Sequence, residues 1–274
     1  MKIRIINLGE IIQPKLLEGV KSLSEKSAIP LQRINEILQE KDMVNAINQF
    51  KQGVFNPDRE EKIFEIPEID ENESLFSSYM VDRLNKEASV KITPNDFLDA
   101  WHKMNPPLEE YKSLLDEAVK FNEQPDCKLY ILSYTNSLDV ADMQRNGILV
   151  DPNQPDSLNN IPFYASYAFH NNAPELLAVI VNSIRYQSSG NRDGLFYLKP
   201  NLDNIDIAWI YTQQNAAAAS RFGTDTQTML SACENLQINS VAWDRKNGMS
   251  LSDVLNLDVA PLKPKLDSTV SVFN

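Results

Sequence analysis

The sequence predicts an α/β protein: a doubly wound, Rossmann-like parallel sheet of about five strands, with an all-helical block inserted after the first strand. Three observations carry this. Short apolar runs at residues 2–6, 128–134, 162–169, 206–211 and 238–243 read as strands. From the second run onward, strands alternate with amphipathic helical segments, which is the pattern of βαβ units. Between the first and second runs, residues 15 to 121 read almost entirely as helix and loop.

Taken in order, "KIRII" at 2–6 is a short buried strand. Pro14 stands where a first helical turn tolerates it, and Leu16, Leu17, Val20 and Leu23 follow at helical spacing. Pro30 opens a second helix with Ile34, Ile37 and Leu38 on one face. Met43, Val44, Ile47 and Phe50 mark a third, stopped near Gly53. Residues 58–73 hold eight acids and two bases and read as a solvated loop without calcium-loop register. Residues 74–84 return to helix. Thr93-Pro94 with Asp96 predicts a capping box, starting a helix with Phe97, Trp101 and Met104 inward. After "NPP" at 105–107, Leu108, Tyr111, Leu115 and Ala118 trace another. "KLYILSY" and "PFYASYAF" are strands; Pro174 starts a helix with Leu177, Ile180, Val181 and Ile184. "DIAWIY" follows, then a helix with Met229, Leu230, Cys233 and Leu236, then "INSVAW". The expected division is a core of residues 1–14 and 106–274 and a helical insertion of 15–105.

The totals exclude several classes. With 26 basic and 38 acidic residues, the net charge of −12 disfavours nucleic acid or an anionic membrane as partner. No apolar run reaches the ~18 residues of a membrane helix, and no secretory signal pattern opens the chain. The expectation is a soluble, cytoplasmic protein. Cys127 and Cys233 lack metal or redox spacing and read as reduced thiols of the core. With eight glycines and neither GxGxxG nor GxxxxGK[ST], nucleotide-loop functions fall away. His102 and His170 suggest no Ser-His-Asp order, and Trp101, Trp209 and Trp243 sit in apolar patterns as core residues.

In such a sheet, ligands bind beyond the C-terminal strand ends. The residues there are Asn7, Ser133 to Asn136, the start of 170–175, and 212–215. In order, these tips resemble the haloacid dehalogenase (HAD) superfamily, in particular its branch of sugar-phosphate phosphatases and epoxide-hydrolase N-terminal-like domains with a helical cap after the first strand. "IINLGEII" stands where that family has a strand ending in the nucleophilic aspartate. "ITPNDFLDAWHKM" looks like the last cap segment. "LYILSYTN" is similar to the second motif, a strand ending in Ser-Asn-Thr-Asn. "ASYAFHNNAPELL" resembles the third, where Lys-Pro-Glu opens a helix, and "IAWIYTQQNAAAA" the fourth, where two aspartates follow a strand.

The resemblance implies phosphoryl transfer to an aspartate, a magnesium ion held by carboxylates, an orienting lysine, and a hydroxyl on a phosphate oxygen. Carried over residue by residue, Asn7 stands at the nucleophile and Ala173 at the lysine. Gln213 and Gln214 replace the metal-binding aspartates, and Gly9 replaces a further acid. Neutral amides hold magnesium poorly and do not attack phosphorus. A lysine beside them would be an uncompensated cation, so Ala173 fits the other changes. The expectation is a phosphatase-like pseudoenzyme with no catalytic residues, metal or cofactor, acting by binding an unknown small molecule or protein. Its ligand contacts would come from Asn7, Glu10, Ser133, Tyr134, Thr135, Asn136 and Asn215. The alternative is an active hydrolase with a rearranged, metal-poor site using Glu10, Asp225 or His170. A third class is an interaction module working through the acidic 58–73 segment.

Overall fold

The computed structural model describes residues 1–12, 15–56, 69–104, 111–146, 161–188, 205–212 and 226–259. Five strands form one all-parallel sheet: β1 (Lys2–Asn7), β2 (Cys127–Ser133), β3 (Phe163–Ala165), β4 (Asp206–Thr212) and β5 (Asn239–Trp243). Their order is β3-β2-β1-β4-β5, with Ile5 of the central strand opposite Tyr130 and Trp209. Because all strands point the same way, Asn7, Ser133, Ala165, Thr212 and Trp243 end on one rim.

Side-chain alternation sends each strand's apolar residues to two faces. On one face Ile6, Leu129, Ile131, Ile210 and Trp243 pack against α7 (Lys112–Asn122), α8 (Ser137–Arg145) and α12 (Leu251–Asn256). On the other, Ile3, Ile5, Tyr130, Leu132, Ile207 and Trp209 pack against α10 (Ala173–Ser188) and α11 (Thr226–Asn235). Both faces are covered, so the strands tolerate near-continuous apolar runs, as parallel sheets require.

A short α1 (Leu8–Ile11) leaves β1, and then α2 (Leu16–Ser27), α3 (Leu31–Leu38), α4 (Lys41–Lys51), α5 (Ile69–Asn85) and α6 (Pro94–His102) form a helical block. It has its own core, including Val20, Leu23, Ile34, Ile37, Phe50, Phe76 and Phe97. Phe50 and Phe76 stack with centroids 4.0 Å apart. Gly19 lets α2 press against α6: a Cβ there would lie 2.4 Å from Met104 Cε and 2.8 Å from the Ala100 carbonyl. The predicted Thr93/Asp96 capping box opens α6.

Some expectations need correction. Leu16 and Leu17 are exposed rather than inward, because the buried stripe of α2 starts at Gly19 and Val20. The strand at 162–169 ends at Ala165; Ser166–Phe169 form a helical turn, α9, whose first hydroxyl is engaged elsewhere. The acidic run is not all loop, since α5 begins at Ile69; residues 58–68 lie outside the described residues, as do Pro14, Leu108 and the prolines of "NPP".

At the opposite end of the sheet, Arg4 of β1 is fully buried. Its guanidinium donates to the carbonyls of Leu255 (3.1 Å), Leu257 (2.6 Å) and Asp206 (3.1 Å) and pairs with the Asp206 carboxylate at 2.8 Å. One side chain thus ties β1, β4 and the chain after α12 together. Arg4→Met is expected to destabilise by about 3 kcal/mol in urea unfolding, since it strips the partner from a mostly buried carboxylate and several carbonyls. Burial pushes the Cys233 thiol up to about 12, whereas Cys127 is partly exposed. Ellman titration of the native protein at pH 8 should therefore count one fast thiol, and a second only after denaturation.

Candidate functional site

Strand order reverses between β1 and β4, and the rim at that point is built as follows. Asn7 ends β1 with extended backbone (φ −74°, ψ 131°) and caps α1, its Oδ1 accepting from the Gly9 N–H at 3.0 Å. A side chain at position 9 would meet nothing nearer than Asn7 Oδ1, at 3.5 Å, so space does not dictate glycine there. Glu10 is buried and accepts a hydrogen bond from the Thr212 hydroxyl at the end of β4, the strand paired with β1. Arg245, after β5, donates to the Glu10 carbonyl at 2.9 Å. The Glu10 carboxyl is thereby held by the sheet's own edge.

The β2 tip is buried as well: Ser133, Tyr134, Thr135 and Asn136 are all under a tenth exposed. Asn136 caps α8, accepting from the Asp139 N–H at 2.9 Å and donating to Asp139 Oδ2 at 2.8 Å. The Thr135 hydroxyl also donates to Asp139 Oδ2, at 2.9 Å, and the Trp101 indole donates to Oδ1 at 2.8 Å. The Thr135 N–H donates to Ser166 Oγ at 2.9 Å. The Tyr134 hydroxyl accepts from Gln52 Nε2 at 3.1 Å. Burial pushes the Tyr134 phenol up, and the Gln52 hydrogen bond opposes this.

Ala173 is fully buried at the start of α10, packed in the same apolar cluster as Tyr134. Asn172 and Glu175 form the cap of that helix. Among the described residues, the helical block brings a cation to this part of the rim. Lys51, at the end of α4, places its ammonium 5.4 Å from the Tyr134 ring centre. Burial pushes its pKa down, and the charge of Asp139 pulls the other way.

Of the residues singled out from sequence, Asn7, Gly9 and Glu10 fall together after β1, and Ser133 to Asn136 line the neighbouring tip. Gln213, Gln214, Asn215 and Asp225 lie outside the described residues. His170 is exposed and its Nδ1 meets the Gln52 carbonyl at 3.1 Å, while His102 Nδ1 meets Asp142 Oδ2 at 2.6 Å. Both histidines serve the seam between block and sheet. Sequence reasoning missed Lys51, Gln52, Asp139 and Ser166. Asp139 alone carried a signal: it stands three residues after an Asn that opens a helix, a capping pattern.

No protein-family model matches the chain, and no curated protein matches it. Solved structures do. A HAD family enzyme of Bacteroides thetaiotaomicron superposes with a TM-score of 0.54 and 13% identity, covering 89% of this chain and 94% of the other. The same enzyme in complex with magnesium superposes at 0.52 with 15% identity, covering 89% and 93%. Its complex with magnesium and inorganic phosphate superposes at 0.50 with 16% identity, covering 89% and 94%. The chain therefore has a HAD-like fold.

Thr212→Val is isosteric and removes one hydrogen bond from the buried Glu10 carboxyl. Chemical denaturation should read a loss of about 1–3 kcal/mol.

Proposed function

We propose that this protein is a catalytically silent, phosphatase-like member of the HAD-like fold that works by binding a small molecule or a protein at the sheet's rim. The observation that carries this reading is Asn7: an amide ends β1 where the resemblance puts the attacking carboxylate, and its oxygen is engaged by the Gly9 N–H. An amide neither attacks phosphorus at neutral pH nor forms an acyl phosphate. Ala173, fully buried in an apolar cluster, offers no ammonium at the lysine's place.

Magnesium fits this donor set poorly. It sheds water reluctantly and relies on charged oxygens. Among the described residues, no three His, Cys, Asp or Glu side chains come together as a metal site. Gln213 and Gln214, which the resemblance aligns with the family's metal-binding acids, are neutral residues. A rim built this way binds through hydrogen bonds and shape, with Asn7, Glu10 and Ser133 as the polar contacts to a ligand.

A second reading, an active hydrolase with a rearranged site, draws on the structural neighbours being enzymes. One assay separates the two. Purified protein with p-nitrophenyl phosphate and magnesium is expected to show no turnover above buffer, and Asn7→Asp alone is expected to restore none, because lysine and metal acids are still missing. Turnover that disappears in Asn7→Ala would overturn the reading.

A further inference from the structure

Beyond β5 the chain makes one turn of 3₁₀ helix, Arg245–Asn247, and an Asn-Gly pair ends it. The sequence holds two such pairs, and Asn247–Gly248 is the one lying wholly within the described residues. Both residues are exposed. Gly248 has φ +81°, and a Cβ there would meet nothing within 4 Å, so the turn is open to solvent on that side. Asp244 holds the turn from its start: Oδ1 accepts from the Asn247 N–H at 3.2 Å, and Oδ2 from the Asn247 side-chain amide at 2.5 Å. The Gly248 N–H donates to the Arg245 carbonyl and the Met249 N–H to the Asp244 carbonyl, both at 3.2 Å. The turn is also joined to the rim. Arg245 sets its guanidinium carbon 4.6 Å from the Trp243 ring centre and donates to the Glu10 carbonyl. Asn136, followed by a small serine, is the contrasting case: it is fully buried and engaged as a helix cap.

We propose that Asn247 is a site of spontaneous deamidation, restrained by Asp244, and that its product loosens the hold of Arg245 on the rim. The Gly248 amide nitrogen attacks Cγ of Asn247 and loses its proton; the Cγ–Nδ2 bond breaks and ammonia leaves. Water then opens the five-membered imide at either carbonyl, giving aspartate or isoaspartate. The net change is one water consumed and one ammonia released. Glycine favours this closure because no side chain shields its nitrogen and its backbone takes conformations closed to other residues. Asp244 opposes it, since its carboxylate ties the amide and the N–H of Asn247 back to the start of the turn. The product sets a second carboxylate against that of Asp244, and like charges at this range disfavour one another. The isoaspartyl form also adds a methylene to the main chain of a three-residue turn. Either product opens the turn, and Arg245 moves with it. The inference is independent of catalytic silence, because neither Asn247 nor Asp244 is among the rim's polar contacts.

Ageing the purified protein at pH 8 and 37 °C, followed by peptide mapping with mass spectrometry, tests the site. The peptide carrying Asn247 is expected to gain about one dalton over weeks, as the thermolabile asparagine exchanges its amide for a carboxylate, while the peptide carrying Asn136 gains nothing. Part of the product should be methylated by a protein isoaspartyl methyltransferase. Asp244→Ala should speed the gain about fivefold, the worth of one such hydrogen bond. An unchanged mass at Asn247 in the folded wild type would overturn the site. A gain in Asp244→Ala no faster than the wild type's would overturn the restraint. Asn247→Asp, which installs one product directly, reads the coupling to the rim: hydrogen exchange should rise in peptides spanning 8–12 and 243–249, with β2 unchanged as internal control. Exchange at 8–12 equal to the wild type's would overturn that link. Should Asp244→Ala not fold, the wild-type mass gain and the Asn247→Asp exchange decide the proposal between them.

Discussion

A polar rim buried beneath a helical block has to satisfy its own hydrogen bonds, and in this protein that constraint converges on Asp139. A parallel sheet delivers its strand ends, with their outgoing loops and helix starts, to a single edge. Covering that edge removes the water that would otherwise pair those groups, and an unpaired buried donor or acceptor is costly. The Asp139 carboxylate accepts from a strand-end hydroxyl, a helix-capping amide and an indole from the overlying block. Ser166 performs the same service for the backbone of Thr135. The sheet and the block therefore share one set of hydrogen bonds.

The electrical character of the rim follows from residue types. Asn7 is neutral and occupied as a cap. Glu10 is taken by Thr212, across the point where strand order reverses. Lys51 reaches the rim from the block, where burial pushes its pKa down and the charge of Asp139 opposes this. The far end of the sheet is organised on the opposite principle: Arg4 is a buried, fully engaged charge that fastens the chain beyond α12 to the central strand.

Much of this was legible in the sequence. Strand positions follow from short continuous apolar runs and helix positions from the 3.6-residue period, and the capping box at Thr93 and Asp96 was readable because its partners stand three residues apart. The apolar runs placed the ends of β1 and β2, at Asn7 and Ser133, on one side of a parallel sheet. Less was readable where long-range packing overrode local pattern. Leu17 has helical spacing yet faces out, because the stripe of α2 is set by Gly19 and its contact with Met104. The β3 run at 162–169 looks more than twice as long as the strand, Phe163–Ala165, because Ser166 is drawn to Thr135 and Lys51 instead of continuing the ladder.

The sequence by itself determined the order of elements, the parallel sheet and the absence of a carboxylate or lysine at Asn7 and Ala173. Those depend on residue type and on neighbours a few positions away. Only the tertiary structure decided that Gln52 meets Tyr134, that Trp101 meets Asp139, and that Ser166 meets Lys51. Each of these pairs joins segments far apart along the chain. Which donor reaches which acceptor is set by how two separately packed cores dock, and no local periodicity carries that information.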